Sequence, residues 1–234
     1  MKTFIFVGIF LFFACSSSSE KKNTSKKKSI GTTSIPRKHS TEKIALHKLR
    51  KLFVVGDFDG DGKKDTVYQH FFSELTGREI DSLADPLKND FDTLWHWFYN
   101  QKVEIYLAFT KPNHDTLRMD GVVDEGLYFL INMGDNNSDG KDEIGLSIDH
   151  VDWSNANSFR VYSICKNKWV ELKRFNVMES SFNFSSDSTL LFSGIKDVLE
   201  KQNGKWLYKD YIDMDYQKME DVGKMMPLEI GKCE

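Results

Sequence analysis

Asp57-Phe58-Asp59-Gly60-Asp61-Gly62-Lys63-Lys64-Asp65 decides how this chain is read, and Asp135-Asn136-Asn137-Ser138-Asp139-Gly140-Lys141-Asp142-Glu143 repeats its form 78 residues later. Both follow one pattern: Asp, any residue, Asp or Asn, any residue, Asp, Gly, two more residues, then Asp or Glu. Alternate side chains of so tight a loop turn inward, and carboxylates brought this close repel unless a cation lies among them. An all-oxygen donor set suits Ca²⁺, which takes about six to eight oxygens at about 2.3–2.6 Å. The expected ligands are the side chains of Asp57, Asp59, Asp61 and Asp65 with the Lys63 carbonyl. In the second loop they are Asp135, Asn137, Asp139 and Glu143 with the Lys141 carbonyl. An EF-hand needs a bidentate Glu at the twelfth loop position, where this chain has Tyr68 and Leu146.

The flanks of both loops predict strands. Leu52, Val54 and Val55 lead into the first loop, and Thr66 to Phe71 alternates beyond it; the apolar run Leu127 to Ile131 feeds the second. Val103 to Phe109 is a further strand, ended by Lys111-Pro112-Asn113. Two hairpins follow: Phe159–Ile164 with Trp169–Leu172 around Lys166-Asn167-Lys168, and Val198–Lys201 with Trp206–Tyr211 around Asn203-Gly204. Phe91 to Tyr99 predicts a short helix with Asp90 as its N-cap, and Glu74 to Asp92 an excursion from the sheet. The expected fold is mainly β: antiparallel strands and hairpins, two Asp-rich calcium loops and a short helical insertion.

Val55-Gly56 before the first loop, Met133-Gly134 before the second, and Asp142-Glu143-Ile144-Gly145 closing it resemble the FG-GAP/VCBS calcium repeats of integrin-α-like propellers. The resemblance covers only the loops and their flanks. Two repeats do not close a ring of about four to eight blades, so a complete propeller is not expected.

At the N-terminus, Met1-Lys2 precedes an apolar run from Phe4 to Phe13. As a helix it spans about 15 Å, half the hydrocarbon thickness, which suits a signal sequence and not a membrane span. Ala14-Cys15 followed by Ser16 to Ser19 resembles a lipoprotein signal of the Bacteroidetes type, with Phe12 and Phe13 giving a looser box. The resemblance implies acylation of Cys15, anchorage by buried acyl chains and, because Ser16 is no retention signal, placement in the outer membrane. The expected organisation is a signal over 1–15, a basic Ser/Thr/Lys-rich tether over 16–43 and one β-rich domain over 44–234. With Cys15 lipidated, Cys165 and Cys233 remain in an oxidising compartment, either as a disulfide or as separate thiols.

Charge is unevenly placed. The first fifty residues carry eleven Lys or Arg and two Glu, whereas the rest carries 21 basic and 33 acidic residues. An acidic body repels phosphate backbones, which argues against nucleic acid as a partner. His70, His96, His114 and His150 lack zinc-like spacing, although Asp149-His150-Val151-Asp152-Trp153 forms a suggestive cluster. Trp95, Trp97, Phe98 and Tyr99 predict a core-facing segment, with a sugar platform as the alternative. No nucleophile elbow, P-loop or dinucleotide fingerprint is present, so no enzyme is expected. The expectation is a membrane-anchored, calcium-stabilised β-rich binding or structural module of the cell envelope whose ligand is unidentified, with protein and glycan as candidates. The alternatives are an envelope hydrolase or an immunity- or inhibitor-type lipoprotein.

Overall fold

The computed structural model describes residues 43–111, 114–119, 123–182, 194–211 and 224–233. The expected signal, Cys15 and nearly all of the tether lie outside them. The chain divides into two units at Thr41/Glu42, and every described residue belongs to the second.

Strands β1 (Leu46–Lys48), β2 (Phe53–Gly56) and β3 (Asp65–Ser73) come first, with the first Asp-rich loop joining β2 to β3. The short β4 (Arg78–Glu79) folds back on β3, and β5 (Ser82–Ala84) pairs with β1. Helix α1 (Phe91–Gln101) leads into β6 (Val103–Phe109) and β7 (Leu117–Arg118). Strands β8 (Asp124–Gly134) and β9 (Glu143–His150) flank the second Asp-rich loop, and β10 (Ala156–Cys165) and β11 (Lys168–Met178) form a long hairpin. The last described strands are β12 (Gly194–Ile195), β13 (Leu199–Gln202), β14 (Lys205–Tyr208) and β15 (Met226–Pro227). The fold is mainly β and antiparallel, and among the described residues its sheets close into neither a barrel nor a propeller. No described helix is long and apolar enough to cross a membrane.

The sheet β11-β10-β9-β8 is covered on both faces, which explains why β8 is continuously apolar from Leu127 to Ile131 and why β9 is buried from Glu143 to Ile148. One face sends Leu130, Ile144, Leu146 and Ile148 into a core shared with Val67, Phe71, Ile105 and Leu107 of the sheet β2-β3-β6-β7. Leu94 and Phe98 of α1 join that core. The other face sends Phe129, Ile131, Met133, Phe159, Val161 and Phe175 against Ile195, Leu199, Trp206 and Leu228 of the C-terminal strands and tail. Gly145 lies beneath the rings: a Cβ there would collide with Phe159 and Met133, so only glycine lets the aromatic layer close on β9.

Two local expectations change. The helix runs two residues past Tyr99, to Gln101, and stops where Lys102 turns left-handed at φ 47°. The 74–92 excursion contains two short strands: β4 folds back on β3, and β5 pairs with β1, its Leu83 and Ala84 fully buried. That pairing joins segments some forty residues apart, and the polar sequence around it carries no period to announce it.

Candidate metal centre

Each Asp-rich loop is closed by the same ladder pair. Gly56 faces Asp65 at the base of the first, and Gly134 faces Glu143 at the base of the second. The ninth-position acid is thus the first residue of the returning strand, with its side chain buried under the loop: Asp65 is 2% exposed and Glu143 0%. Within the loops the earlier acids fold the backbone around themselves. The Asp57 carboxylate accepts from Gly60 N at 3.0 Å and Gly62 N at 3.0 Å, and Asp135 accepts from Asp139 N at 3.1 Å and Gly140 N at 3.1 Å. Asp59 Oδ1 accepts from Asp61 N, as Asn137 Oδ1 does from Asp139 N, both at 3.0 Å. Lys63 N donates to Asp61 Oδ1 at 2.8 Å and Lys141 N to Asp139 Oδ1 at 3.1 Å. Such side-chain-to-backbone turns leave the second carboxylate oxygen of Asp59, Asp61 and Asp139 outside the loops' own hydrogen bonds.

The two loops lie side by side. Asp57 and Asp142 exchange bonds, Asp57 N donating to Asp142 Oδ2 at 3.0 Å and Asp142 N to the Asp57 carbonyl at 2.8 Å. Asn132 straps them further, its amide donating to Asp142 Oδ2 at 2.8 Å and to the Val55 carbonyl at 3.0 Å. Gly56 sits inside this junction, where a Cβ would run into Asn132, Asp142 and Phe58. Neither Asn132 nor Asp142 is legible as a site residue in the sequence, because a contact between two distant loops leaves no spacing to read.

Asp57, Asp59 and Asp61 form one group of converging oxygens within 4.8 Å of one another, and Asp135, Asp139 and Glu143 form the other. The two differ in what already neutralises them. In the first, Lys111 Nζ lies 2.5 Å from Asp65 Oδ1, 3.2 Å from Asp61 Oδ2 and 3.4 Å from Asp59 Oδ2. His114 Nε2 is a further 3.4 Å from Asp59. In the second, Asp139 Oδ2 and Glu143 Oε1 are buried without any hydrogen-bond partner. Burial, and then the charges of Asp139 and Asp135, push the Glu143 carboxyl up to about 7 against the opposing bonds from Asn136. Buried orphan oxygens are costly, and an oxygen-seeking divalent cation is the chemistry that would satisfy them. The tail borders this loop: Asn137 donates to the Gly231 carbonyl at 2.9 Å and Lys232 to the Ser138 carbonyl at 3.2 Å. Cys233 is disulfide-bonded to Cys165, with Cα atoms 5.4 Å apart.

A second ionisable cluster occupies the opposite end of β8 and β9. Burial and the charges of Asp149 and Asp85 push Glu125 up to about 7. Burial pushes Asp149 up to about 6, with Glu179 and Asp124 adding and the Tyr128 hydroxyl and His150 opposing. His150 is raised by its 2.6 Å contact with Asp124. All three groups bind protons more tightly folded than unfolded. Their stabilisation is therefore present at low pH and is lost as pH rises through their folded-state values. The melting temperature should be higher near about pH 5.5 than near about pH 8, and Glu125→Gln and Asp149→Asn should each flatten that slope. A slope untouched by both substitutions would contradict this account.

The remaining sequence candidates are dispersed. His70 stacks on Tyr106 with ring centroids 4.8 Å apart, and His96 meets the edge of Trp95. Phe98 is buried, Trp95 and Trp97 pack against the first core, and Tyr99 stays exposed, stacked on Trp95. Comparison with protein families, curated proteins and solved structures found no match to this chain.

Proposed function

We propose that this protein is a lipid-anchored, calcium-stabilised β-rich module of the bacterial cell envelope, acting by binding or as structure and not by catalysis. The observation that carries the calcium reading is the pair of buried, unpartnered oxygens, Asp139 Oδ2 and Glu143 Oε1, beside Asp135. A cation there would hold Glu143 ionised and pin the turn between β8 and β9. The same turn is bonded to the first loop and to the C-terminal tail, so one ion would brace three segments. Anchorage is supported by the apolar leader ending at Cys15.

At the affinities of extracellular calcium modules, about 0.1–1 mM, millimolar calcium would stabilise such a site by about 0.4–1.4 kcal/mol. For a fold of this size that is a rise of about 1–6 °C in Tm. The full-length protein in detergent, melted in EDTA and across a calcium titration, should show this saturable rise, and Asp139→Asn should abolish it. Cys15→Ser should move the protein from the membrane fraction to the soluble one. A melt indifferent to calcium removes the metal from this reading, and a Cys15→Ser protein that stays on membranes removes the lipid.

A further inference from the structure

We propose that the ammonium of Lys111 is the resident cation of the first loop, so that this loop takes no divalent ion and the protein binds one calcium per chain, in the second loop. The count of one rests on the calcium reading given above. The closure of the first loop by lysine stands without it.

The two loops match position by position, and the comparison isolates Lys111. At the fifth position, Asp61 Oδ2 meets the ammonium while Asp139 Oδ2 has no partner. At the ninth, Asp65 Oδ1 meets the ammonium and its Oδ2 is left buried without a partner, while Glu143 Oε1 is orphaned with no ammonium beside it. At the third, Asp59 Oδ2 points to Lys111, while Asn137 in the other loop turns its amide to Gly231. Lys111 therefore fills the place whose counterpart is left without a cation. An ammonium carries three donors and here faces three carboxylates.

Backbone pairing delivers this lysine to the loop. Val67 faces Phe109 in the β3–β6 ladder, and Thr110 N donates to the Thr66 carbonyl at 3.1 Å, which brings residue 111 alongside Asp65. Among the described residues the second loop has no equivalent. Lys141 Nζ donates to the Ile164 carbonyl at 2.7 Å, Lys232 Nζ donates to that of Ser138, and Lys201 Nζ lies over the Trp206 ring. A divalent ion entering the first loop would have to expel a tethered cation from three ion pairs.

The test is the number of calcium ions bound by the full-length protein in detergent, measured by equilibrium dialysis with calcium alone. Wild type should bind one, Asp139→Asn none, Lys111→Met two, and the double variant one. Wild type binding two, or Asp139→Asn binding one, would overturn the proposal; so would a natively folded Lys111→Met that gains none. Wild type binding none while Lys111→Met binds one would defeat the calcium reading of the second loop and leave the lysine closure standing. A measurement on the wild type covers the case in which Lys111→Met fails to fold. Reductive methylation should modify Lys111, held by three carboxylates, more slowly than exposed Lys64, at a rate that calcium does not change. Calcium that accelerates Lys111 methylation would mean the ion displaces the lysine, and the proposal would fail.

Discussion

Reducing the Cys165–Cys233 bond should lower the melting temperature by about 10 °C, among the largest effects expected for any single chemical change to this protein. The bond closes a loop of 68 residues. In the chain-entropy description a cross-link of that span removes about 4 kcal/mol of unfolded-state freedom, and for a fold of this size each kcal/mol moves Tm by about 2–4 °C. The native side adds to this. The tail it fastens supplies β15, which pairs Pro227 with Leu207, and Leu228, which is buried in the second core beside Trp206. The same tail carries Gly231 and Lys232 onto the second Asp-rich loop, so reduction should also weaken calcium binding there. Melts with and without a phosphine reductant, both in EDTA, measure the first effect, and a Cys165→Ser/Cys233→Ser variant should match the reduced wild type. Identical melts would mean that the tail stays docked without its covalent bond.

The features legible in the sequence are those fixed within a few residues. Loop spacing announces both acid clusters, because every second residue of a tight turn shares a side. Asn203-Gly204 announces its hairpin, and both residues take the positive φ that turn requires, 50° and 79°. Asp90 caps α1 as its position suggests, its carboxylate accepting from Thr93 N at 2.8 Å. What the sequence hides is set by strand pairing at long range. Lys111 follows a strand and precedes a proline, so by local signs it is only a strand terminator. Its place among Asp59, Asp61 and Asp65 depends on β6 pairing with β3 in one register. The junction of Asp57, Asn132 and Asp142 is hidden for the same reason, and so is the third layer, which depends on β12 to β15 covering the far face of β8–β11. The two loops therefore look alike in sequence and differ in chemistry, since what neutralises each comes from elsewhere in the chain.

Phe58→Ala should cost about 3–5 kcal/mol, as large as the loss of the disulfide, although it removes no charge and no proposed ligand. Phe58 is the second residue of the first loop, yet it is 1% exposed, and its ring meets Phe109 edge-on at 6.4 Å. Phe109 in turn stacks on Trp169 and packs against His114, so the ring anchors the loop to the first core. Truncation leaves a cavity under the loop that these rings cannot close by small shifts, and the lost transfer energy adds to the cavity cost. The backbone above it also aims Asp59 and Asp61 at Lys111 and holds Asp57 on Asp142. The second loop is anchored by a different means. Asn136 stands where Phe58 does and donates to the Met133 and Gly134 carbonyls and to Glu143, at 3.2, 2.9 and 3.1 Å. Asn136→Ala forfeits hydrogen bonds and makes no comparable void, so it should cost about 1–3 kcal/mol. Denaturant melts of the two variants in EDTA decide the matter. A Phe58→Ala cost no greater than that of Asn136→Ala would mean the first loop is held by its ion pairs with Lys111, and that the ring beneath it only fills space.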